Sequence, residues 1–318
     1  MTRAAFSHDC DVVIVNYNAG KLLADCVSSV FAAGATRAIV VDNASSDGSI
    51  DYLERTHGSD NALSIIRNAR NLGFAAACNI GARASSTRWI LFLNPDGVLA
   101  ADALSHMISA LDHSDRIGMV GGLLCNPDGT EQPGGRRVFP TPKRAFMRAL
   151  GLSRLARFSP EVFSDFLLHK EPLPSEPVVV EAISGACMLV KREAVEDVGL
   201  WDEGYFLHCE DLDWCMRFRR AGWKIVFVPA AEVVHYKGTC STSRPVFVEW
   251  HKHRGMLRFY RTHFRHQYPW PLMLMVFAAV WTRFSLLAGR ILVARVVLRR
   301  APEYCPAPLS LRTVPHAM

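Results

Sequence analysis

Trp89-Ile90-Leu91-Phe92-Leu93-Asn94-Pro95-Asp96-Gly97 is the stretch on which the reading of the fold turns. An apolar run of strand length stops abruptly at a carboxylate, which brings a charge out of the core at a strand's C-terminal end. In open α/β sheets, ligands bind along that edge. A hard carboxylate there can hold Mg2+ or Mn2+ against a diphosphate, since those ions prefer oxygen ligands. Pro95-Asp96-Gly97 is equally a turn sequence. Alone, the stretch leaves both a site and a turn open.

The same pattern recurs on the N-terminal side. Val12-Val13-Ile14-Val15 ends in Asn16-Tyr17-Asn18, and Ala38-Ile39-Val40-Val41 ends in Asp42-Asn43-Ala44-Ser45. Leu63-Ser64-Ile65-Ile66 leads to Asn68 and then Asn71-Leu72-Gly73-Phe74. Stretches of helical character, Gly20 to Ala32 and Phe74 to Ala84, lie between them. Short apolar strands alternating with helices predict an α/β fold with a parallel sheet buried on both faces. Asn16, Asp42, Asn71 and Asp96 should then gather along one edge. No Gly-x-Gly-x-x-Gly follows the first strand, and no phosphate-loop motif occurs. An anionic ligand would therefore depend on a metal, helix N-termini and arginines.

A second block is Ser184-Gly185-Ala186, then Gly199-Leu200-Trp201-Asp202-Glu203, then Phe206 to Gly222. Its last part reads as a helix opened by Glu210, Asp211 and Asp213 and closed by basic residues and Gly222, the polarity a helix dipole favours. Trp214, Phe218 and Ala221 make a buried stripe, while Asp213 and Arg217 form an i, i+4 pair worth only a few tenths of a kcal/mol. Capping alone explains one acid at the helix start. Two adjacent carboxylates beside an aromatic loop exceed that need, and a base that deprotonates a hydroxyl must be held in this way. Glu232-Val233-Val234-His235 ends a further strand, where His235 is either a packed residue or a metal ligand.

Taken in order and spacing, these motifs resemble glycosyltransferase family 2, in the branch that includes bacterial rhamnosyltransferases acting on surface polysaccharides. They are Asn16-Tyr17-Asn18, Asp42-Asn43-Ala44-Ser45, Asn71-x-Gly73-Phe74, Leu93-Asn94-Pro95-Asp96, Ser184-Gly185-Ala186, Glu210-Asp211-x-Asp213 and His235. The resemblance covers roughly residues 10 to 260. It implies a GT-A-like fold, a mixed and mostly parallel sheet flanked by helices; a helical basic C-terminal segment is expected to follow it from the charge pattern described below.

It also implies roles. Asp42 matches the acid that contacts the nucleotide base, with Asn16 lining the same pocket. Asn43, Asn71, Gly73, Asn94 and Asp96 fall in donor-binding motifs. Asp96 matches the last acid of the family's Asp-x-Asp metal motif, whose first acid is here Asn94. His235 matches a histidine that completes the metal site for Mg2+ or Mn2+, and Asp211 matches the catalytic base, with Glu210 as the alternative. The implied reaction is inverting transfer of a sugar, L-rhamnose from dTDP-rhamnose, from a nucleotide-diphospho-sugar donor to a saccharide or polyprenyl-linked saccharide acceptor. The rivals are a UDP-hexose donor and a non-catalytic sugar-nucleotide binder or scaffold. A nucleotidyltransferase would need a glycine-rich, lysine-bearing loop near the first strand, which Asn16 to Lys21 does not supply.

Composition agrees with an enzyme: 318 residues, half of them apolar, can bury a large core. The nine cysteines are scattered without a Cys-x-x-Cys pair, so neither a disulfide framework nor a zinc site is expected. The start of the chain lacks a signal peptide's apolar core. A cytoplasmic setting, peripheral at the inner face of the cell membrane, follows as the expectation.

Charge is unevenly spread. Residues 251–300 hold ten Lys and Arg and no acid, whereas residues 1–250 are net −4. Tyr268 to Thr282 carries no charge, and Arg283, Arg290 and Arg295 follow. Fifteen uncharged residues fall short of the ~20 that span a bilayer. Arg283 and Arg290 share a helix face, which suits a helix lying in an anionic membrane surface. Packing on the domain, or self-association into a homo-oligomer, is the alternative. No nucleic-acid-binding motif accompanies the basic run. The expected division is a catalytic domain over 1–262, with an acceptor-side insertion at 124–180, and a basic amphipathic segment over 263–318. Within the insertion, Asn126-Pro127-Asp128-Gly129 predicts a hairpin, and Gln132 to Arg137 a mobile basic loop or solvated turn. Arg144, Arg148, Arg154 and Arg157 lie on a helical stretch, and Glu171 to Pro177 on an extended linker.

Overall fold

Alternate residues of the first strand enter two different cores, and this sets the layering. Val13 and Val15 join one buried cluster, Val12 and Ile14 the other. That is the period-two pleat of a strand covered on both faces. The computed structural model describes residues 8–144, 167–236, 238 and 244–298. The predicted helical stretch bearing Arg148, Arg154 and Arg157 lies outside them.

The strands are β1 (His8–Asn16), β2 (Ala35–Asp42), β3 (Leu63–Arg67), β4 (Trp89–Leu93), β5 (Gly97–Leu99), β6 (Ile117–Cys125), β7 (Arg136–Arg137), β8 (Val178–Val180), β9 (Ala182–Ile183), β10 (Cys187–Lys191) and β11 (Lys224–His235). Nine of them form one mixed sheet in the order β3-β2-β1-β4-β10-β6-β11-β5, with β8 on β11, and β7 pairs with β9. The pairs β1–β2, β2–β3, β1–β4 and β6–β11 are parallel. β10 enters antiparallel between β4 and β6.

On one face lie α1 (Leu22–Ala32), α2 (Ser49–His57) and α4 (Ala103–Asp112). On the other lie α3 (Phe74–Ala84), α5 (Arg192–Val198), α6 (Glu210–Arg220) and parts of α7 (Pro245–Phe264) and α8 (Trp270–Leu298). A side chain at Gly81 would place its Cβ 2.3 Å from Val13 Cγ1, so glycine is what lets α3 lie close on β1. Phe92 of β4 meets Trp201 and Trp214 edge-on at 5.3 and 5.4 Å, and the two indoles lie 4.2 Å apart. Aromatic pairs of this kind add about 0.5–1.5 kcal/mol each beyond area burial. Through this trio the strand that ends near Asp96 and the helix that begins at Glu210 are held in register.

The predicted turn is a hairpin: Asn126 N–H donates to Thr130 O at 2.8 Å, and Gln132 N–H to Leu124 O at 2.8 Å. The seven cysteines described are all buried and free.

Candidate active site

The ends of β1 and β2 build the first part of the site. Asn16 and Asp42 are register partners, both buried, and Asn16 Nδ2 donates to Asp42 Oδ1 at 2.8 Å. The same amide nitrogen lies 2.9 Å from the hydroxyls of Ser45 and Ser49. Asn16 Oδ1 is buried with no partner. A buried acceptor left unpaired costs about 1–3 kcal/mol, which a ligand N–H would relieve. Asn43 Nδ2 donates to Gly73 O at 3.1 Å and its Oδ1 accepts from Asn68 at 2.9 Å. Asn71 Oδ1 accepts from Gly73 N at 2.9 Å. Gly73 has φ +90, and a Cβ there would sit 2.7 Å from Phe206 O. Phe74 N–H donates to that same carbonyl at 2.8 Å, tying the start of α3 to the loop that leads into Glu210.

Asp96 and His235 meet at the second part: Asp96 Oδ1 lies 3.2 Å from His235 Nε2, and Asn94 Nδ2 is 3.2 Å from the same nitrogen. Gln132 determines the tautomer. Its Nε2 donates to His235 O at 2.7 Å and to Asn126 Oδ1 at 3.0 Å, so Oε1 faces His235 Nδ1 at 2.7 Å as acceptor. Nδ1 therefore carries a proton, and Nε2 is the ring atom that faces Asp96. This is the arrangement in which histidine ligates a metal. Among the described residues no group of three or more His, Cys, Asp or Glu is placed to hold an ion. Two protein ligands, one hard oxygen and one imidazole, fit a divalent ion that takes its remaining ligands from a diphosphate and water.

The third part is the start of α6. His208 and Cys209 have φ of 67 and 70, a left-handed corner that turns the chain into the helix. Asp211 is ion-paired with Arg137, accepts from Gly185 N at 3.2 Å on the same oxygen, and from Leu212 N at 2.8 Å on the other. Burial opposes its charge, but Arg137 and these backbone donors outweigh it and hold the carboxyl below the usual carboxylate range. Glu210 behaves oppositely. Burial, then the charge of Asp211, pushes it up to about 8, and its Oε2 is buried without a partner. Two adjacent carboxyls thus differ: one is oriented and held toward its ionised form, the other is pushed toward its protonated form. Such a split is how a site separates acid and base roles.

Gln132 to Arg137 is neither a solvated turn nor a loop free to move. Gln132 and Arg136 are buried, with Arg136 bonded to Glu131 at 2.8 and 3.1 Å and to the carbonyls of Glu171 and Pro172. The hairpin after β6 folds this segment back beside β6, whose partner β11 ends at His235. Gln132 and Arg137 are the two site residues that sequence reasoning missed. The hairpin signal was visible, but not the strand it would lie beside.

Asp213 belongs to a buried network larger than the i, i+4 pair its spacing predicts. Its Oδ2 accepts from Arg217 at 2.8 Å, and its Oδ1 from His263 of α7 at 2.8 Å and from the Tyr205 hydroxyl at 3.4 Å. Arg217 also donates to the carbonyls of Val198, Gly199 and Leu200. Burial works against the Asp213 charge, yet the His263 and Arg217 bonds keep its carboxyl below the ordinary range.

The site so assembled has a family. The sequence profile of "Glycosyl transferase family 2" matches residues 11–199. The chain belongs to glycosyltransferase family 2. A curated relative, the N-acetylglucosaminyl-diphospho-decaprenol L-rhamnosyltransferase of Mycobacterium tuberculosis, is 30% identical over 239 residues, covering 71% of this chain and 75% of the relative. Among solved structures, GalNAc-T7 with UDP, GalNAc and Mn2+ aligns with a TM-score of 0.56 at 19% identity, covering 79% of this chain and 47% of that one. The Pyrobaculum calidifontis mannosyltransferase PcManGT, in complex with GDP-Man and Mn2+, aligns with a TM-score of 0.55 at 15% identity, covering 94% of this chain and 77% of that one. At those identities the likeness speaks for the fold, which is GT-A-like. This family 2 member is accordingly a glycosyltransferase with a mixed, mostly parallel sheet and a C-terminal helix.

Proposed function

We propose that this glycosyltransferase moves L-rhamnose from dTDP-L-rhamnose, with inversion, onto a polyprenyl-diphosphate-linked saccharide at the inner face of the cell membrane. The observation that carries the reading is that Asp211 stands oriented and ionised at one end of the site while Asp96 and His235 pair at the other. The sugar and the acceptor are those named for the mycobacterial relative, which acts on N-acetylglucosaminyl-diphospho-decaprenol.

In this reading Asn16, Asp42, Asn43, Asn71 and Gly73 line the nucleotide pocket, where the unpartnered Asn16 Oδ1 accepts a base N–H. Asn94, Asp96 and His235 face the diphosphate. Mg2+ or Mn2+ bound by Asp96 and His235 would offset the charge that builds on the leaving nucleoside diphosphate. Asp211 takes the proton of the acceptor hydroxyl as that oxygen bonds to the anomeric carbon and the bond to the diphosphate breaks. Arg137 and the Gly185 and Leu212 amides hold the carboxylate toward the acceptor. Glu210, protonated and deeper, keeps a second negative charge out of the site. The 124–180 segment borders Asp211 through Arg137 and forms the acceptor side. The basic 263–318 segment brings the domain to an anionic membrane.

Thermal stabilisation by dTDP-rhamnose, UDP-glucose, UDP-galactose, UDP-N-acetylglucosamine and GDP-mannose, each with and without Mn2+, tests the donor. A ligand at ~100 times its dissociation constant adds about 2.7 kcal/mol of stability. A metal-dependent response to dTDP-rhamnose alone is expected. A response to a UDP-hexose instead reassigns the donor, and no response to any removes the catalytic reading.

A further inference from the structure

A cavity lies outside this site, between α7 and α8 beside Gly204. It measures about 410 Å3 and is lined by Gly204, Trp250, Arg254, Arg258, Arg261 and Trp281, among others. A volume of that size lies in the range of small-ligand pockets. Trp250, Arg254, Arg258 and Arg261 follow one another at helical spacing on α7, and Trp281 closes the cavity from α8, 5.0 Å from Trp250.

The three arginines are not equivalent. Arg258 donates to both oxygens of Asp202 at 2.8 and 3.0 Å and lies over the Tyr205 ring, so its charge is compensated. Arg261 sits over the Phe277 ring at 5.1 Å and pairs with no carboxylate among the described residues. Arg254 has no hydrogen-bond or ion-pair partner among them. Two uncompensated guanidinium groups thus line one cavity that has aromatic walls, and guanidinium groups bind phosphate as paired donors.

What adjoins the cavity points to the rest of the ligand. On α8, Trp281 continues a helical stripe through Leu274 and Ala278 on one side and Ser285 on the other; Trp281 itself packs on Trp250 and Phe284, while the residues flanking it are exposed, Leu274 at 59% and Trp270 before it at 76%. A free phosphate would use the arginines and leave this surface wet, whereas an amphiphile would use both. We infer that the cavity seats the phosphate of an anionic membrane lipid whose acyl chains lie along the exposed stripe of α8. The inference rests on the membrane association proposed above and assigns it a specific headgroup contact.

The full chain is floated with vesicles of phosphatidylglycerol in phosphatidylcholine. Arg254→Gln/Arg261→Gln is compared with Arg265→Gln/Arg290→Gln, which removes equal charge outside the cavity. The cavity pair is expected to lose about tenfold more binding than the control pair, since bulk attraction to an anionic surface treats them alike. Equal losses overturn the cavity assignment and leave membrane association standing. In parallel, dihexanoyl-phosphatidylglycerol below its micellar concentration should change the tryptophan fluorescence saturably, and Trp281→Phe should weaken the change. An equal response to glycerol phosphate or inorganic phosphate would make the ligand a free phosphate and overturn the lipid assignment. Saturable quenching without flotation keeps the cavity and rejects the membrane reading. Neither signal, or lipid-independent dimers that block the quenching, rejects the lipid site.

Discussion

Gln132 and Arg137, five residues apart on one short segment, each hold a different end of the site: Gln132 accepts from His235 Nδ1 at 2.7 Å, and Arg137 is ion-paired with Asp211. Gln132 and Arg136 are buried, and Arg136 anchors the segment to Glu131 and to the carbonyls of residues 171 and 172. The segment spaces the proposed metal ligand from the proposed base and contacts both.

Gln132→Leu keeps the bulk of the side chain but frees the His235 ring. Loss of such a partner typically weakens metal affinity about 10–100-fold. Electron paramagnetic resonance of free Mn2+, titrated with nucleoside diphosphate present, reads this directly. Unchanged Mn2+ affinity would remove Gln132 from its positioning role.

Asp211→Asn should retain donor affinity, measured by calorimetry, while kcat falls by about 10^2–10^4, the usual range for loss of a general base. Near-normal turnover would pass the role to Glu210. Arg137→Gln removes the partner that keeps Asp211 ionised, so the acidic limb of the kcat–pH profile should move to higher pH. A purely structural role for Arg137 would lower activity without moving that limb.

Glu210 makes stability depend on pH in the opposite sense to an ordinary carboxylate. Its pKa rises from the usual 4.5 to about 8 on folding. Between those values the folded chain keeps a proton that the unfolded chain releases, so stability declines as pH rises through that window. Glu210→Gln should abolish the decline, and its gain over the parent should grow with pH. Urea unfolding at a series of pH values checks the trend. A gain that stays constant with pH would contradict the buried, protonated assignment.

His263→Ala strips one strong hydrogen bond from the buried Asp213 carboxylate, leaving Arg217 and Tyr205. The cost should be about 1.5–3 kcal/mol, the range for hydrogen bonds to charged groups. Denaturant unfolding measures it, and a change below about 0.5 kcal/mol would show that the Asp213–His263 contact contributes little.

Local patterns carried much of the fold. β4 and α3 lie where the runs Trp89 to Leu93 and Phe74 to Ala84 place them, because each run is apolar at its own period and bounded by polar or glycine residues. The strand-end residues Asn16, Asp42 and Asp96 were legible for the same reason. What could not be read is long-range pairing. The antiparallel insertion of β10, the alignment of Gln132 with His235, and the reach of His263 to Asp213 across 50 positions depend on contacts that no window contains. Asp213–Arg217 shows the converse: its spacing was plain, but its importance comes from burial, which spacing does not reveal.

The contacts of α7 also bear on how this enzyme can be shortened. Phe259, Tyr260 and Phe264 fill the core under α6, and Gly255 lies so near His208 that an added Cβ would stand 2.6 Å from its carbonyl oxygen. A chain cut before Pro245 would lose the inner wall of the corner that leads into Glu210, so such a truncation removes part of the core along with α8. The proposed membrane contact is better probed by resurfacing α8, replacing the exposed Leu274, Met275 and Leu286 with polar residues while leaving the buried Met273 and Val276 in place.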